Sequence, residues 1–156
     1  MIEINIPGLN SFEFENLVLD YNGTLALDGI PYDCVYGLLE LLSKNLNIYI
    51  LTADTFGNVS RFADKLHSEV VILKSLPISN AKSEFVQKIG KEKTIAIGNG
   101  RNDEFMLQNA ALGIGLIQKE GISTQTLKSA DIIFVSICDA LNAILHPKRL
   151  IAGLRT

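Results

Sequence analysis

The sequence contains few cysteines and no surplus of positive charge. Its two cysteines, Cys34 and Cys138, lie far apart and lack the CxxC spacing of a metal or redox motif. We therefore expect both to be reduced thiols that pack in the interior of a cytoplasmic protein. The 14 basic residues are outnumbered by 17 acidic ones, and no basic stripe is present. This distribution argues against nucleic acid as a partner.

Long apolar runs are also absent. No stretch approaches the ~20 apolar residues of a membrane-spanning helix, so we expect no membrane partner. The N-terminus lacks the positively charged start and the apolar run of a signal peptide, which agrees with a cytoplasmic location. There is no Pro/Gly/Ser-rich linker, and a length of 156 residues suits one domain with a core of its own. We therefore predict a single domain over residues 1–156.

What the sequence does contain is an alternation of strand and helix patterns. Residues 1–16 are predicted to form a β-hairpin extension, because Ile2, Ile4 and Ile6 alternate with polar residues. Further strands are predicted at 17–19, 47–51, 70–73, 94–97, 111–117 and 132–135, and helices at 33–44, 56–67, 79–89 (with Ser79 as N-cap), 103–109, 123–128 and 139–145. This alternation predicts an α/β fold with three Rossmann-like layers, in which helices cover both faces of a mostly parallel central sheet.

Polar residues lie just beyond four of these strands or at the start of the helix that follows, at the edge where open α/β sheets bind ligands. They are Asp20-Tyr21-Asn22-Gly23-Thr24, then Thr52-Ala53-Asp54, then Lys82 (with Lys74 as a weaker alternative), and finally Gly98-Asn99-Gly100-Arg101-Asn102-Asp103. Taken singly, each has a simpler interpretation as a turn, a helix cap, a solvated lysine or a glycine-rich loop. Four such clusters in this order are much harder to explain in that way.

In this order, the clusters resemble the four motifs of the haloacid dehalogenase-like (HAD) superfamily, which are DxDGT, a Ser/Thr, a Lys and GDxxxD or GDGxND. The stretches LVLDYNGTLALDG, LTADTFG and AIGNGRNDEFML are most similar to the small soluble P-type ATPase-like members. The resemblance covers about residues 17–135 and implies the HAD form of the Rossmann-like fold. The intervals 24–51 and 54–82 are too short for a cap domain, so we expect an open site. Its substrate would be a phosphorylated small molecule, a nucleotide or a protein.

The resemblance also implies a role for each matching residue. Asp20 would be the nucleophile that becomes an aspartyl phosphate, and Asn22 occupies the position of the general acid. Five residues would bind the phosphoryl oxygens: Gly23, Thr52, Ala53, Lys82 and Asn102. A Mg²⁺ cofactor would be held by Asp20, by Asn22 through its backbone carbonyl, by Asn99 and by Asp103. Thr52 and Lys82 would also belong to the catalytic set, because they stabilise the charge of the transferred group.

Two positions depart from the family pattern. Asn22 stands where phosphatases of the superfamily have the aspartate that protonates the leaving group, and an amide cannot deliver that proton. General-acid assistance is typically worth ~10²–10⁴-fold, but a leaving group such as ADP or acetate needs no proton. Asn99 stands where the family has a metal-binding aspartate, so we expect weaker binding of Mg²⁺.

These departures leave two interpretations open. The first is a Mg²⁺-dependent phosphohydrolase that uses a phosphoanhydride or acyl-phosphate donor. The second is a weak or inactive domain that binds phosphate or a regulatory partner through the inherited pocket. We also hypothesise a homo-oligomer interface, either at the N-terminal hairpin or at the apolar stretch Leu150-Ile151-Ala152.

Overall fold

The computed structural model describes residues 1–53, 59, 62, 64 and 68–156, so the predicted helix at 56–67 lies largely outside the described residues. The strands of the described part are β1 Ile2–Asn5, β2 Ser11–Phe14, β3 Asn16–Asp20, β4 Ala26–Leu27, β5 Ile30–Pro31, β6 Asn47–Thr52, β7 Ser68–Ile72, β8 Thr94–Gly98, β9 Leu112–Leu116 and β10 Ile132–Phe134. Its helices are α1 Asp33–Ser43, α2 Ile78–Ile89, α3 Glu104–Asn109, α4 Thr124–Ser129, α5 Ile137–Leu145 and α6 Lys148–Leu154, with 3₁₀ turns at Lys91–Lys93 and Arg101–Asp103.

Six strands form a central parallel sheet in the order β10-β9-β8-β3-β6-β7. Parallel pairing aligns the carboxyl ends of β3 and β6, since Asp20 pairs with Leu51 and Thr52 follows at once. The same edge carries the end of β8, where Gly98 pairs with Gly115 of β9. The three-layer α/β fold predicted from the sequence is confirmed, and the predicted central strands agree with the observed ones to within two residues.

Side chains of β3 show why the sheet is covered on both faces. Leu17 and Leu19 are fully buried in the larger apolar cluster, together with residues of α1, α5 and α6. Val18 points the other way and is fully buried against residues of α2 and α3. Burial of each such side chain contributes about 1.5–3 kcal/mol, so the continuous apolar run fixes this strand at the centre of the domain.

The N-terminal extension is the predicted antiparallel hairpin, in which β1 pairs with β2. Its inward face is apolar, because Ile4 and Phe14 are buried in the main core. A second, two-stranded hairpin (β4 and β5) follows β3 and forms a short flap, and the interval between the first two motifs holds no further domain. None of the helices in the described ranges is both long and apolar enough to cross a bilayer.

One expectation about local structure is wrong, and another is narrowed. Ser79 does not cap a helix, since α2 already begins at Ile78 and its N-cap is Pro77. The apolar stretch near the C-terminus forms α6, and Leu150 is fully buried in the core of its own chain. That side chain is therefore not available for the hypothesised homo-oligomer interface, and oligomer formation remains a prediction.

The two cysteines form a disulfide instead of remaining free thiols. Cys34 lies on α1 and Cys138 on α5, and these helices pack side by side on one face of the sheet. The Cα atoms are 5.9 Å apart, within the range that a disulfide bridges. The prediction of two reduced thiols failed because 104 residues separate the pair in sequence. Only the packing of α1 against α5 brings them together.

Candidate active site

A cleft of about 730 Å³ opens at the carboxyl edge of the central sheet. It is lined by Asp20, Asn22, Thr52, Ala53, Lys82, Asn99, Gly100, Arg101, Asn102 and Glu120. The sequence predicted seven of these as site residues, from four segments of the chain. The two other predicted residues adjoin the same cleft: Gly23 next to Asn99, and Asp103 beneath it in contact with Lys82. The structure therefore brings all nine predicted residues together.

Lys82 is the centre of a buried group of charges. It stands in the first turns of α2 with 1% of its surface exposed, whereas Lys74 is exposed. Its Nζ donates to Asp20 Oδ1 and to Asp103 Oδ1, each at 2.6 Å. Such short charge-assisted bonds are about twice as strong as neutral ones. The solvated-lysine interpretation is thus wrong for Lys82, and Lys74 is not its equivalent.

The electrostatics of this group follow from one cation between two carboxylates. Burial and the charge of Asp103 raise the pKa of Asp20 from 3.8 to about 7, although Lys82 acts in the opposite direction. Burial alone would lower the pKa of Lys82, but the carboxylates of Asp103 and Asp20 outweigh it and raise that pKa above its ordinary value. Lys82 is therefore a permanent cation, and the group carries one uncompensated negative charge whenever Asp20 is ionised.

Asp103 anchors the glycine-rich loop that follows β8. While Oδ1 accepts from Lys82, Oδ2 accepts the backbone N–H of Asn99 at 3.0 Å and that of Gly100 at 2.9 Å. A Cβ atom on Gly98 would lie 2.5 Å from Asp103 Cγ, so only glycine permits this close approach. With both oxygens engaged and no exposed surface, Asp103 positions Lys82 and the loop in this structure.

Asn99 makes one hydrogen bond that an aspartate could not reproduce, the one that its Nδ2 donates. Its Nδ2 donates to the carbonyl oxygen of Gly121 at 3.0 Å, while its Oδ1 accepts from Thr24 Oγ1 at 3.3 Å. The backbone N–H of Ser123 in turn donates to the carbonyl oxygen of Asn99 at 3.0 Å. The neutral side chain at this position therefore ties the loop after β9 to the site, a function that its sequence motif did not reveal.

The loop after β9 supplies two residues that the sequence interpretation missed. Gln118 Nε2 donates to the carbonyl oxygens of Gly23 at 2.9 Å and of Thr24 at 3.0 Å, which fixes the turn after the nucleophile. Glu120 lines the cleft itself. A Cβ atom built on Gly23 would lie 2.7 Å from Glu120 Oε2. A signal was available, because these residues follow a strand of the same parallel sheet just as the four recognised clusters do.

The donor atoms in the cleft fit Mg²⁺ better than a transition metal. The predicted ligands are the carboxylates of Asp20 and Asp103, the backbone carbonyl of Asn22 and the side-chain oxygen of Asn99, so all are hard oxygen atoms. Within the described ranges, no three His, Cys, Asp or Glu side chains group together as a protein-only metal centre. Mg²⁺ needs no such group, because it is usually bound by one or two carboxylates and keeps several waters.

Comparison with known sequences gives one strong partial match and several distant ones. No model of a known protein family matches the chain. An uncharacterised protein of Methanocaldococcus jannaschii is 46% identical over 79 residues, which are 48% of this chain and 85% of that protein. A human protein described as a probable phospholipid-transporting ATPase is 27% identical over 133 residues, or 83% of this chain. The chain spans only 11% of the length of that ATPase.

Comparison with solved structures finds proteins that share the fold of this chain. The 3-deoxy-D-manno-octulosonate 8-phosphate phosphatase of Moraxella catarrhalis, solved with magnesium, phosphate and KDO, superposes with a TM-score of 0.70 and 19% identity, covering 91% of this chain and 94% of that one. The corresponding Haemophilus influenzae phosphatase, in a cobalt-bound form, gives a TM-score of 0.72 at 12% identity, with 92% and 94% coverage. The catalytic domain of the CPx-ATPase CopB-B gives 0.60 at 26% identity, with 74% and 46% coverage.

Proposed function

We propose that this chain is a Mg²⁺-dependent phosphohydrolase of the haloacid dehalogenase-like type, which its motifs and its fold resemble, and that it works through an aspartyl phosphate on Asp20. The observation that carries the proposal is the contact of Lys82 Nζ with Asp20 Oδ1 at 2.6 Å in the cleft at the carboxyl edge of the sheet. A buried cation beside a carboxylate is the arrangement that a nucleophile for an anionic phosphoryl group requires, since it offsets the charge repulsion between them.

Each of the nine predicted site residues has a role in this proposal. Asp20, in its ionised form, attacks the phosphorus atom, and the new O–P bond forms as the bond from phosphorus to the donor's leaving oxygen breaks. Water then hydrolyses the aspartyl phosphate, which releases phosphate and restores the Asp20 carboxylate. Lys82 stays protonated throughout and draws the phosphoryl oxygens towards the nucleophile. Oxygens of the transferred group are held by Gly23, Thr52, Ala53, Lys82 and Asn102. Mg²⁺ would be held by Asp20, by the backbone carbonyl of Asn22, by Asn99 and indirectly by Asp103. It would add positive charge that stabilises the transferred group.

The identity of residue 22 selects among donors. Asn22 lines the cleft beside Asp20, but its amide has no proton to give to a basic alkoxide. Phosphoanhydrides and acyl phosphates need no such proton, because ADP and acetate leave as stable anions. We therefore propose a donor of this type, as in the ATPases that the chain resembles, in preference to a phosphorylated sugar of the kind that the octulosonate phosphatases hydrolyse.

A comparison of phosphate release from different donors tests this donor class. The purified chain with Mg²⁺ should release phosphate from acetyl phosphate or ATP at least ten times faster than from a sugar phosphate at equal concentration. Asp20→Asn should abolish release, and Lys74→Gln is a matched control that should leave it unchanged, because Lys74 is exposed and lies outside the cleft residues. Faster release from the sugar phosphate would refute the donor assignment while leaving Asp20 as nucleophile.

A second function, that of a phosphate-binding or regulatory domain, is favoured by the hydrogen bonds of Asn99. Its Nδ2 is engaged by the carbonyl of Gly121, so the side chain is used as an amide and not as a remnant of a carboxylate. A domain of this kind would bind inorganic phosphate or vanadate in the cleft and turn over none of the donors. Calorimetric titration with phosphate, made beside the release assay, distinguishes the two functions.

A further inference from the structure

We propose that Glu120 is a ligand of the Mg²⁺ ion in this cleft and supplies the negative oxygen that position 99 lacks. The inference rests on the proposed Mg²⁺-dependent function and assigns it one more residue. Glu120 lies in the loop after β9, outside the four sequence motifs. It is identified by its position in the fold and not by a motif.

The position of Glu120 next to Asn99 is the first argument. A Cβ atom built on Gly23 would lie 2.7 Å from Glu120 Oε2 and 2.7 Å from Asn99 Nδ2. The two side-chain atoms therefore meet around one point and are at most about twice that distance apart. Gly23 directly follows Asn22, whose backbone carbonyl is a proposed metal ligand. Glu120 thus brings a carboxylate to the side of the cleft where the motif has lost one.

The charge of Glu120 is the second argument. Glu120 is exposed, and its carboxylate forms no hydrogen bond or ion pair with the described residues. A free carboxylate on the wall of a phosphoryl-binding cleft repels the substrate unless a cation lies between them. Lys82 does not neutralise Glu120, because its ion pairs are with Asp20 and Asp103. A divalent cation that Glu120 helps to bind would turn this repulsion into attraction.

The hydrogen bonds of the loop are the third argument. Asn99 Nδ2 binds the carbonyl of Gly121, the residue next to Glu120. On the other side, Gln118 bonds to the carbonyl oxygens of Gly23 and Thr24 and accepts the backbone N–H of Ile137 at 2.7 Å through Oε1. Glu120 is therefore held between two anchored residues. An aspartate at position 99 would lose the bond to Gly121, so the amide and the relocated carboxylate form a consistent pair.

Binding of Mg²⁺ to the full chain tests the proposal directly. Isothermal titration with Mg²⁺, in the absence of any substrate, is made on the wild-type chain, on Glu120→Gln and on Glu3→Gln. Glu3 is an exposed glutamate of the N-terminal hairpin, so this variant matches the charge change away from the cleft. We expect Glu120→Gln to weaken Mg²⁺ binding at least 10-fold and Glu3→Gln to leave it unchanged.

Binding of inorganic phosphate gives a second readout with a change of sign. Without Mg²⁺, Glu120→Gln should bind phosphate more tightly than the wild type, because a repelling charge is gone; with Mg²⁺ it should bind phosphate more weakly.

Three outcomes would overturn the inference. If the wild type binds Mg²⁺ and Glu120→Gln binds it equally well, Glu120 is not a ligand, and the Mg²⁺-dependent function is unaffected. Loss of turnover at unchanged Mg²⁺ affinity would make Glu120 a proton carrier and also overturn the inference. A wild type that binds no Mg²⁺ at millimolar concentrations overturns both this inference and the Mg²⁺-dependent function.

Discussion

The ammonium of Lys82 lies 2.6 Å from Asp20 Oδ1, so the proposed nucleophile is paired with a buried cation before any substrate arrives. The same ammonium also contacts Asp103 at 2.6 Å. One cation therefore serves two carboxylates that differ in their other contacts, since Asp103 also accepts two backbone N–H groups. This asymmetry leads to opposite expectations for the two aspartates.

Asp103→Asn should destabilise the fold and Asp20→Asn should not. Either substitution leaves Lys82 with one carboxylate, so the ion pair that remains is balanced in both variants. Replacing Asp103 also removes the ionised acceptor of the Asn99 and Gly100 N–H groups, and a hydrogen bond to a charged group is worth about 1.5–3 kcal/mol. Urea denaturation of both variants in EDTA checks this order; equal losses of stability would contradict the assigned roles.

The effect of Asp20→Asn should also depend on pH. The folded-state pKa of about 7 exceeds the ordinary 3.8, so the native state binds the proton more tightly than the unfolded state. The wild type should therefore lose stability as pH rises from about 4 to about 7, relative to a variant that cannot ionise at this position. We expect Asp20→Asn to be more stable than wild type at pH 8 by a few kcal/mol, since each pKa unit is worth about 1.4 kcal/mol, and similar at pH 4. Denaturation curves with EDTA at both pH values measure this, and an advantage confined to acidic pH would contradict it.

Gly23→Ala should inactivate the site, whereas Gly29→Ala should not. Both glycines have positive φ, +78° and +77°, so alanine is strained by about 1–2 kcal/mol at either position. Only at Gly23 would the new methyl group collide with neighbours, at 2.7 Å from the side chains of Asn99 and Glu120; at Gly29 there is open space. Phosphate release and thermal unfolding of both variants separate the crowding of the site from backbone strain. Equal activities would show that the turn at Gly23 is not part of the site.

Much of the site was predictable because strand ends carry strong local signals. Buried apolar runs such as 17–19 locate the sheet, and the residue after each run then falls at its carboxyl edge. Glu120 also follows a strand of the sheet, but no sequence motif marks the loop after β9, so the sequence alone does not single it out. The disulfide between Cys34 and Cys138 was not predictable at all, since it depends on which helices share a face of the sheet. Lys82 was identified by motif, and its burial followed only from the packing of α2.

The disulfide should be detectable as protection from alkylation and as a gain in stability. With iodoacetamide under denaturing conditions and no reductant, we expect no mass increase; after reduction we expect two adducts. A cross-link that closes a loop of about 100 residues is worth up to about 4.7 kcal/mol, and typical values are 2–4 kcal/mol. Reduction should therefore lower the denaturation midpoint, and the Cys34→Ser/Cys138→Ser variant should no longer respond to reductant. Two adducts without reductant would restore the prediction of free thiols.

Asn22→Asp should broaden the range of donors. The new carboxyl group would stand at the position of the missing general acid, beside Asp20 in the cleft. We expect hydrolysis of a sugar phosphate to rise roughly 10- to 100-fold. This is at or below the lower end of the ~10²–10⁴-fold range for general-acid catalysis, because the pocket is not otherwise adapted to that donor. Hydrolysis of acetyl phosphate should change little. Asn99→Asp is not combined with it, since that change breaks the bond to Gly121.

The central claim, that Asp20 takes up a phosphoryl group, is tested most directly by the intact mass of the chain. The protein is incubated with Mg²⁺ and acetyl phosphate or ATP, quenched in acid and weighed by mass spectrometry, with Asp20→Asn as the control. We predict the mass of one added phosphoryl group on the wild type, absent from Asp20→Asn and removed by hydroxylamine, which cleaves acyl phosphates. No adduct and no released phosphate from either donor, with both proteins folded, would contradict the enzymatic account and favour the binding domain.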